Sequence, residues 1–191
     1  MYRETRNWLL KALILLLIPS LGMARAVVLM DKQTALQRAF PQADRIERET
    51  LFFDSAARAE VSRLAQAPFE SGLFTVYIGY RAGEIQGYTF IDTRIVRTHP
   101  ATFMVVLAPK GRVRMVRVLA WGEPPEYQPM RRWLAQFEGH EETRGLQLDQ
   151  DIQGISGATF TSRTLTEGVR RALAVYQFCL EHTDEGQAAS C

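Results

Sequence analysis

Residues 73–92, LFTVYIGYRAGEIQGYTFID, decide the fold class. Phe, Val, Tyr and Ile crowd both halves, Leu73 to Tyr80 and Ile85 to Asp92, and Arg81-Ala82-Gly83-Glu84 between them is a hairpin signal. Downstream the form recurs, with Thr102 to Ala108 and Arg112 to Ala120 flanking Pro109-Lys110-Gly111. Four strands, antiparallel in pairs, are expected. Upstream the texture is helical. Ala35, Leu36, Ala39 and Phe40 give a short helix from Lys32 to Phe40, ended by Pro41, and Ala57, Val61 and Leu64 mark a second from Ser55 to Ala65, with Ser55 as its cap.

Beyond the strands, WGEPPEY at 121–127 is a loop, because paired prolines cannot continue a regular element. A helix from Gln128 or Pro129 to Phe137 follows, with Met130, Trp133, Leu134 and Phe137 inward, and then a polar, irregular stretch from Gly139 to Gly154. The last helix is the clearest: Leu165, Val169, Ala172, Leu173, Tyr176, Cys179 and Leu180 fall at spacings of three or four and draw one apolar stripe. The fold class that results is α+β, an antiparallel hairpin sheet packed by helices, including a long C-terminal one.

The 191 residues suffice for one domain with a real core. Residues 1–26 differ from the rest. Arg3, Arg6 and Lys11 precede an unbroken apolar run from Ala12 to Ile18, Pro19 and Gly22 interrupt it, and Ala24-Arg25-Ala26 has the small-x-small form of a leader-peptidase site. The apolar stretch is about 13 residues, short of the roughly 20 that a membrane span needs. The expectation is an export signal cleaved after Ala26, with an uncleaved anchor as the alternative, and a periplasmic or extracytoplasmic location. The expected division is then a signal at 1–26, a helical segment at 27–72, a main domain at 73–183 and a polar tail at 184–191.

Charge follows from that division. The leader holds four of the 23 Lys and Arg residues and one of the 21 acids, which leaves 19 and 20. The pI near 8.7 is thus mostly leader, and no basic stripe remains to track a phosphate backbone, so nucleic acid is not an expected partner. Cys179 lies on the final helix's apolar stripe and Cys191 ends the chain; the expectation is that Cys179 is a small buried hydrophobe rather than half of a disulfide. His99, His140 and His182 show no metal-ligand spacing, and there is no G-x-S-x-G elbow, P-loop or dinucleotide fingerprint. A self-contained hydrolase is not expected.

The chemistry gathers instead at ISGATFTS, 155–162, where four hydroxyls surround a Gly-Ala pair ahead of the last helix. Read structurally, Gly157 makes a turn and Thr161, Ser162 or Thr164 caps the helix, Thr164 with Glu167 having capping-box spacing. Read functionally, a helix N-terminus with unpaired N–H groups seats a phosphate, Gly157 and Ala158 let backbone approach it, and Arg163 adds charge.

The same residues resemble the flavin attachment motif of the FMN-binding domain family, which includes the C subunit of the sodium-pumping NADH:quinone oxidoreductase and the G subunit of the Rnf complex. The resemblance extends from about Phe74 to Leu180 through two hairpins, a Glu-Pro loop, a short helix ending in Gln136-Phe137, the motif and a terminal helix. It implies that Ser156, Gly157 and Ala158 form the motif and that the Thr159 hydroxyl is esterified to the phosphate of FMN by a separate flavin transferase. Two departures stand out. Gln153 occupies the place of a family Asp six residues before the acceptor, with Asp151 nearby, and the loop retains Glu123 but lacks the family's His and later Gly.

What the resemblance implies is an exported electron carrier with covalent FMN and a redox partner such as a membrane reductase or a haem or iron–sulfur protein. The candidate cofactor residues are Thr159, Ser156, Gly157, Ala158, Phe160, Thr161, Ser162, Glu123, Trp121 and Tyr127, with Trp133 assigned to packing. Two alternatives stay open: a module that holds FMN or another phosphate ligand without a bond, and a ligand-free interaction protein in which SGAT is only a turn.

Overall fold

The computed structural model describes residues 26–141, 143, 146–181 and 191. Six strands form one antiparallel sheet in the order β1-β6-β5-β4-β3-β2: β1 (Val27–Val28), β2 (Arg45–Phe52), β3 (Leu73–Arg81), β4 (Glu84–Ile95), β5 (Pro100–Leu107) and β6 (Val113–Trp121). The helices are α1 (Lys32–Ala39), α2 (Ser55–Ala65), α3 (Arg131–Leu134) and α4 (Thr159–Val175), the last continued by a π-type turn, Tyr176–Leu180. This is the expected α+β class.

Both expected hairpins form. Ala82 and Gly83 take positive φ between β3 and β4 (51° and 86°), the geometry of a tight two-residue hairpin turn. Strand β5 lies mid-sheet and is buried on both faces, Phe103, Val105 and Leu107 facing one core and Met104 and Val106 the other. Helices α2 and α4 pack together on the first face, and α1 covers part of the second through Ala35, Ala39 and Phe40.

Segment 27–72, expected as helical, also supplies both edge strands. Val27 pairs with Trp121 at one edge, the chain crosses the second face as α1, and β2 pairs with β3 at the opposite edge. The segment is therefore part of the main sheet. Strand β2, RIERETLF, escapes sequence reading because charged residues occupy much of it, a composition that suits an edge strand guarded against further pairing. Two cap expectations are also corrected. Asp54, not Ser55, caps α2 by accepting from the Ala57 N–H at 2.8 Å. Helix α4 begins at Thr159 with Ala158 as its uncapped N-cap residue, so Thr161, Ser162 and Thr164 lie inside it and no Thr164–Glu167 capping box exists.

Among the described residues no helix is long and apolar enough to cross a membrane. The export signal lies outside the described residues apart from Ala26, as does the tail except for Cys191. That last residue overturns an expectation: it is joined to Cys179 in a disulfide, the Cα atoms 4.7 Å apart.

Candidate functional site

Three segments meet at one end of the sheet: the β4–β5 turn (Val96 to His99), the loop after β6 (Gly122 to Tyr127) and the turn leading into α4 (Ile155 to Ala158). Antiparallel pairing places them together, because β4 ends and β5 begins at the end where β6 finishes.

The four hydroxyls of 155–162 divide into two pairs. Ser162 is buried; its Oγ accepts from the Ile155 N–H (2.9 Å) and donates to the Ala158 carbonyl (3.2 Å), while the Ala158 N–H closes the turn onto the Ile155 carbonyl (2.9 Å). Thr161 is also buried and donates to the Tyr127 carbonyl at 2.9 Å, tying the loop after β6 to α4. These two set the backbone. Ser156 and Thr159 are exposed, and neither side chain has a hydrogen-bond partner among the described residues. Gly157 between them sits at φ 78°, which favours glycine, and open space lies where a Cβ would stand.

Two clefts flank Gly157. One, of about 240 Å³, is lined by Ser156, Gly157, Thr159, Ser162 and Asp149 among others. The other, enclosing only about 30 Å³, is lined by Val96, Arg97, Glu123, Tyr127, Gly157, Ala158, Phe160 and Thr161. Phe160 is 55% exposed at its rim. Both volumes fall below the roughly 300–1,000 Å³ typical of small-molecule sites, so a ring seated here would lie partly across the surface against Tyr127 and Phe160. A phosphate fits better. The first N–H groups of α4 have no intrahelical acceptor, the helix dipole favours an anion, and Arg163, one turn beyond Thr159, is exposed.

Glu123 is placed by what it accepts. Its Oε1 takes the backbone N–H groups of Arg97 (2.9 Å), Thr98 (2.7 Å) and His99 (2.8 Å), and its Oε2 stands 3.6 Å from His99 Nδ1. Burial would raise its pKa, but the three backbone donors outweigh burial and hold it at about 2. The carboxylate therefore clamps the β4–β5 turn while forming part of the cleft wall. Trp121 is not brought to the cleft: it is 3% exposed within the core, its Nε1 donating to the Pro124 carbonyl (3.1 Å). Trp133 is core as well, donating to the Gln153 carbonyl at 2.6 Å and stacking edge-on against Phe137. The Gln153 N–H donates to Gln136 Oε1 (2.9 Å), so its backbone moors the stretch before the Gly157 turn to the segment after α3. Sequence reading missed Val96 and Arg97, and nothing local marks them: they reach the site only through strand register.

Residues 98–174 match the FMN-binding domain family. The match runs from the β4–β5 turn through α4 and so takes in Glu123, Tyr127 and all of ISGATFTS. Relatives of the chain include the G subunit of an ion-translocating oxidoreductase complex of Stutzerimonas stutzeri, 29% identical over 156 residues, covering 75% of this chain and 64% of the relative. The G subunit of the Na(+)-translocating ferredoxin:NAD(+) oxidoreductase complex of Acetobacterium woodii is 26% identical over 147 residues, 65% of this chain and 67% of the relative. The chain thus spans just under two thirds of the first relative's length. Among solved structures, Shewanella oneidensis NqrC superposes with a TM-score of 0.53 at 13% identity, over 81% of this chain and 89% of NqrC, a likeness of fold.

Proposed function

We infer that this chain is an exported electron carrier with FMN held as a phosphoester on Thr159 Oγ1. The observation that carries the reading is the placement of that hydroxyl: exposed and unpartnered in the first turn of a 17-residue helix, beside an open glycine turn, inside the matched domain. The ester would form when Oγ1 attacks the phosphorus of an activated flavin nucleotide brought by a transferase, the hydroxyl losing its proton and the other half of the anhydride leaving. The N–H groups of Thr159 and Phe160 and the Arg163 side chain would hold the phosphate, while Tyr127 and Phe160 offer apolar surface to the ring and Arg97 a cation at its edge. A bound flavin supplies two-electron uptake with release of electrons singly. The protein positions it through the Glu123 clamp and the Thr161–Tyr127 bond. The Cys179–Cys191 disulfide supports the export reading, since such bonds persist in oxidising compartments. The relatives' membership of redox complexes favours a membrane reductase as partner.

Intact-mass analysis of protein co-produced with a flavin transferase tests the bond. Wild type should gain the mass of FMN less one water, as an ester requires, and Thr159→Val should not. Colour that leaves on denaturation would select a non-covalent FMN module, and a wild type with neither colour nor added mass would remove the flavin reading.

A further inference from the structure

The second face of the sheet carries a larger cavity than either cleft at the flavin end, about 460 Å³, framed by α1, β5, β6 and α3. It falls within the roughly 300–1,000 Å³ typical of small-molecule sites. Its apolar lining includes Met30, Met104 and Met115, flexible side chains that adapt to an irregular guest. Its polar lining is dominated by Arg38 from α1, Arg117 from β6 and Arg131 from α3, with no carboxylate among the described lining residues.

Among the described residues several other arginines are tied down, although Arg48, Arg97, Arg132 and Arg163 also have free side chains. Arg63, Arg94 and Arg112 have carboxylate partners, and Arg114 and Arg170 donate to carbonyls. The side chains of Arg38, Arg117 and Arg131 have no hydrogen bond or ion pair among the described residues. Burial lowers the Arg117 pKa, and Arg131 and Arg38 lower it further through space; Glu138, exposed, opposes them without forming an ion pair. Three separate elements therefore bring like charges to one cavity, offset in part by Glu138, an arrangement that an entering anion would relieve.

We propose that this cavity binds a phosphate-bearing ligand with an apolar body, the phosphate held by Arg38, Arg117 and Arg131 and the body laid against Met30, Met104 and Met115. Phosphate suits three guanidinium groups because its several oxygens accept from more than one at once. The site is separate from the flavin end. Tyr127 faces the small cleft, whereas the next two residues, Gln128 and Pro129, line this cavity. The inference does not rest on the flavin reading.

Calorimetric titration of the purified full chain with decyl phosphate below its micelle concentration tests it, alongside sedimentation with phosphatidylglycerol vesicles and with phosphatidylcholine vesicles. Decyl phosphate should bind more tightly than inorganic phosphate, and Arg117→Gln should weaken it by about tenfold or more with the melting temperature retained. Arg131→Gln, on an exposed side chain, should weaken it in the same direction and serves if Arg117→Gln fails to fold. Sedimentation with phosphatidylglycerol alone, lost in the variants, would assign a lipid headgroup; decyl phosphate binding without sedimentation would assign a soluble ligand. No heat with decyl phosphate and no vesicle binding, or binding indifferent to both substitutions, would overturn the proposal.

Discussion

Glu123 shows how a residue can line a candidate site and be spent on architecture. Three backbone N–H groups converge on one of its oxygens, so its negative charge is worth more folded than unfolded. Its pKa falls from 4.5 to about 2. A carboxylate depressed in this way contributes stability that is fully present above its unfolded pKa and is lost as pH falls through the folded one. Glu123→Gln should therefore lower stability by about 1–3 kcal/mol near neutrality. The gap in urea midpoint between wild type and variant should close between pH 4.5 and 2; a constant gap would mean that the charge is not what holds the turn. The motif at 156–159 was legible because identity and spacing carry it. The division of labour among its hydroxyls was not, since Thr161 finds its acceptor 34 residues away.

At the scale of the element, α4 carries both the candidate site and part of the core. Its apolar stripe is readable from spacing alone, and Leu165, Val169, Ala172 and Leu173 are all buried as expected. Less readable is Gly168, whose place in a helix interior looks like a weakness of roughly 1 kcal/mol against alanine. A Cβ there would stand 2.2 Å from the Phe103 ring, which is fully buried under the helix. Gly168→Ala should thus destabilise the protein by about 1–3 kcal/mol by overpacking, despite its better propensity. Thermal or chemical melting checks the sign, and a stabilised variant would show that the ring can move aside. The neighbour α2 is held by a similar long-range device, Arg170 of α4 donating to the Ala65 carbonyl at its C-terminal end (2.8 Å). No feature of 55–65 announces that partner, which lies 105 residues along the chain.

For the whole molecule, segments far from the central hairpins are tied into the fold. The strand at 27–28 closes one edge of the sheet, and Cys191 returns to α4's continuation through its bond to Cys179. Cys179 has the helical-stripe position of a buried hydrophobe and is indeed 6% exposed, yet it is paired as well. Protein secreted to an oxidising compartment should show no alkylatable thiol in denaturant until a reductant is added, and both cysteines alkylated afterwards, by mass; reactive thiols without reductant would sever the tail from the helix. By itself the sequence determined the hairpins, the last helix and the candidate motif at its start, because each depends on side chains only a few positions apart. Tertiary structure alone decided the charged edge strand, the turn that Glu123 clamps, the arrival of Arg97 and the gathering of Arg38, Arg117 and Arg131. Those depend on strand register and packing across the sheet, which bring together residues whose local patterns carry no trace of one another.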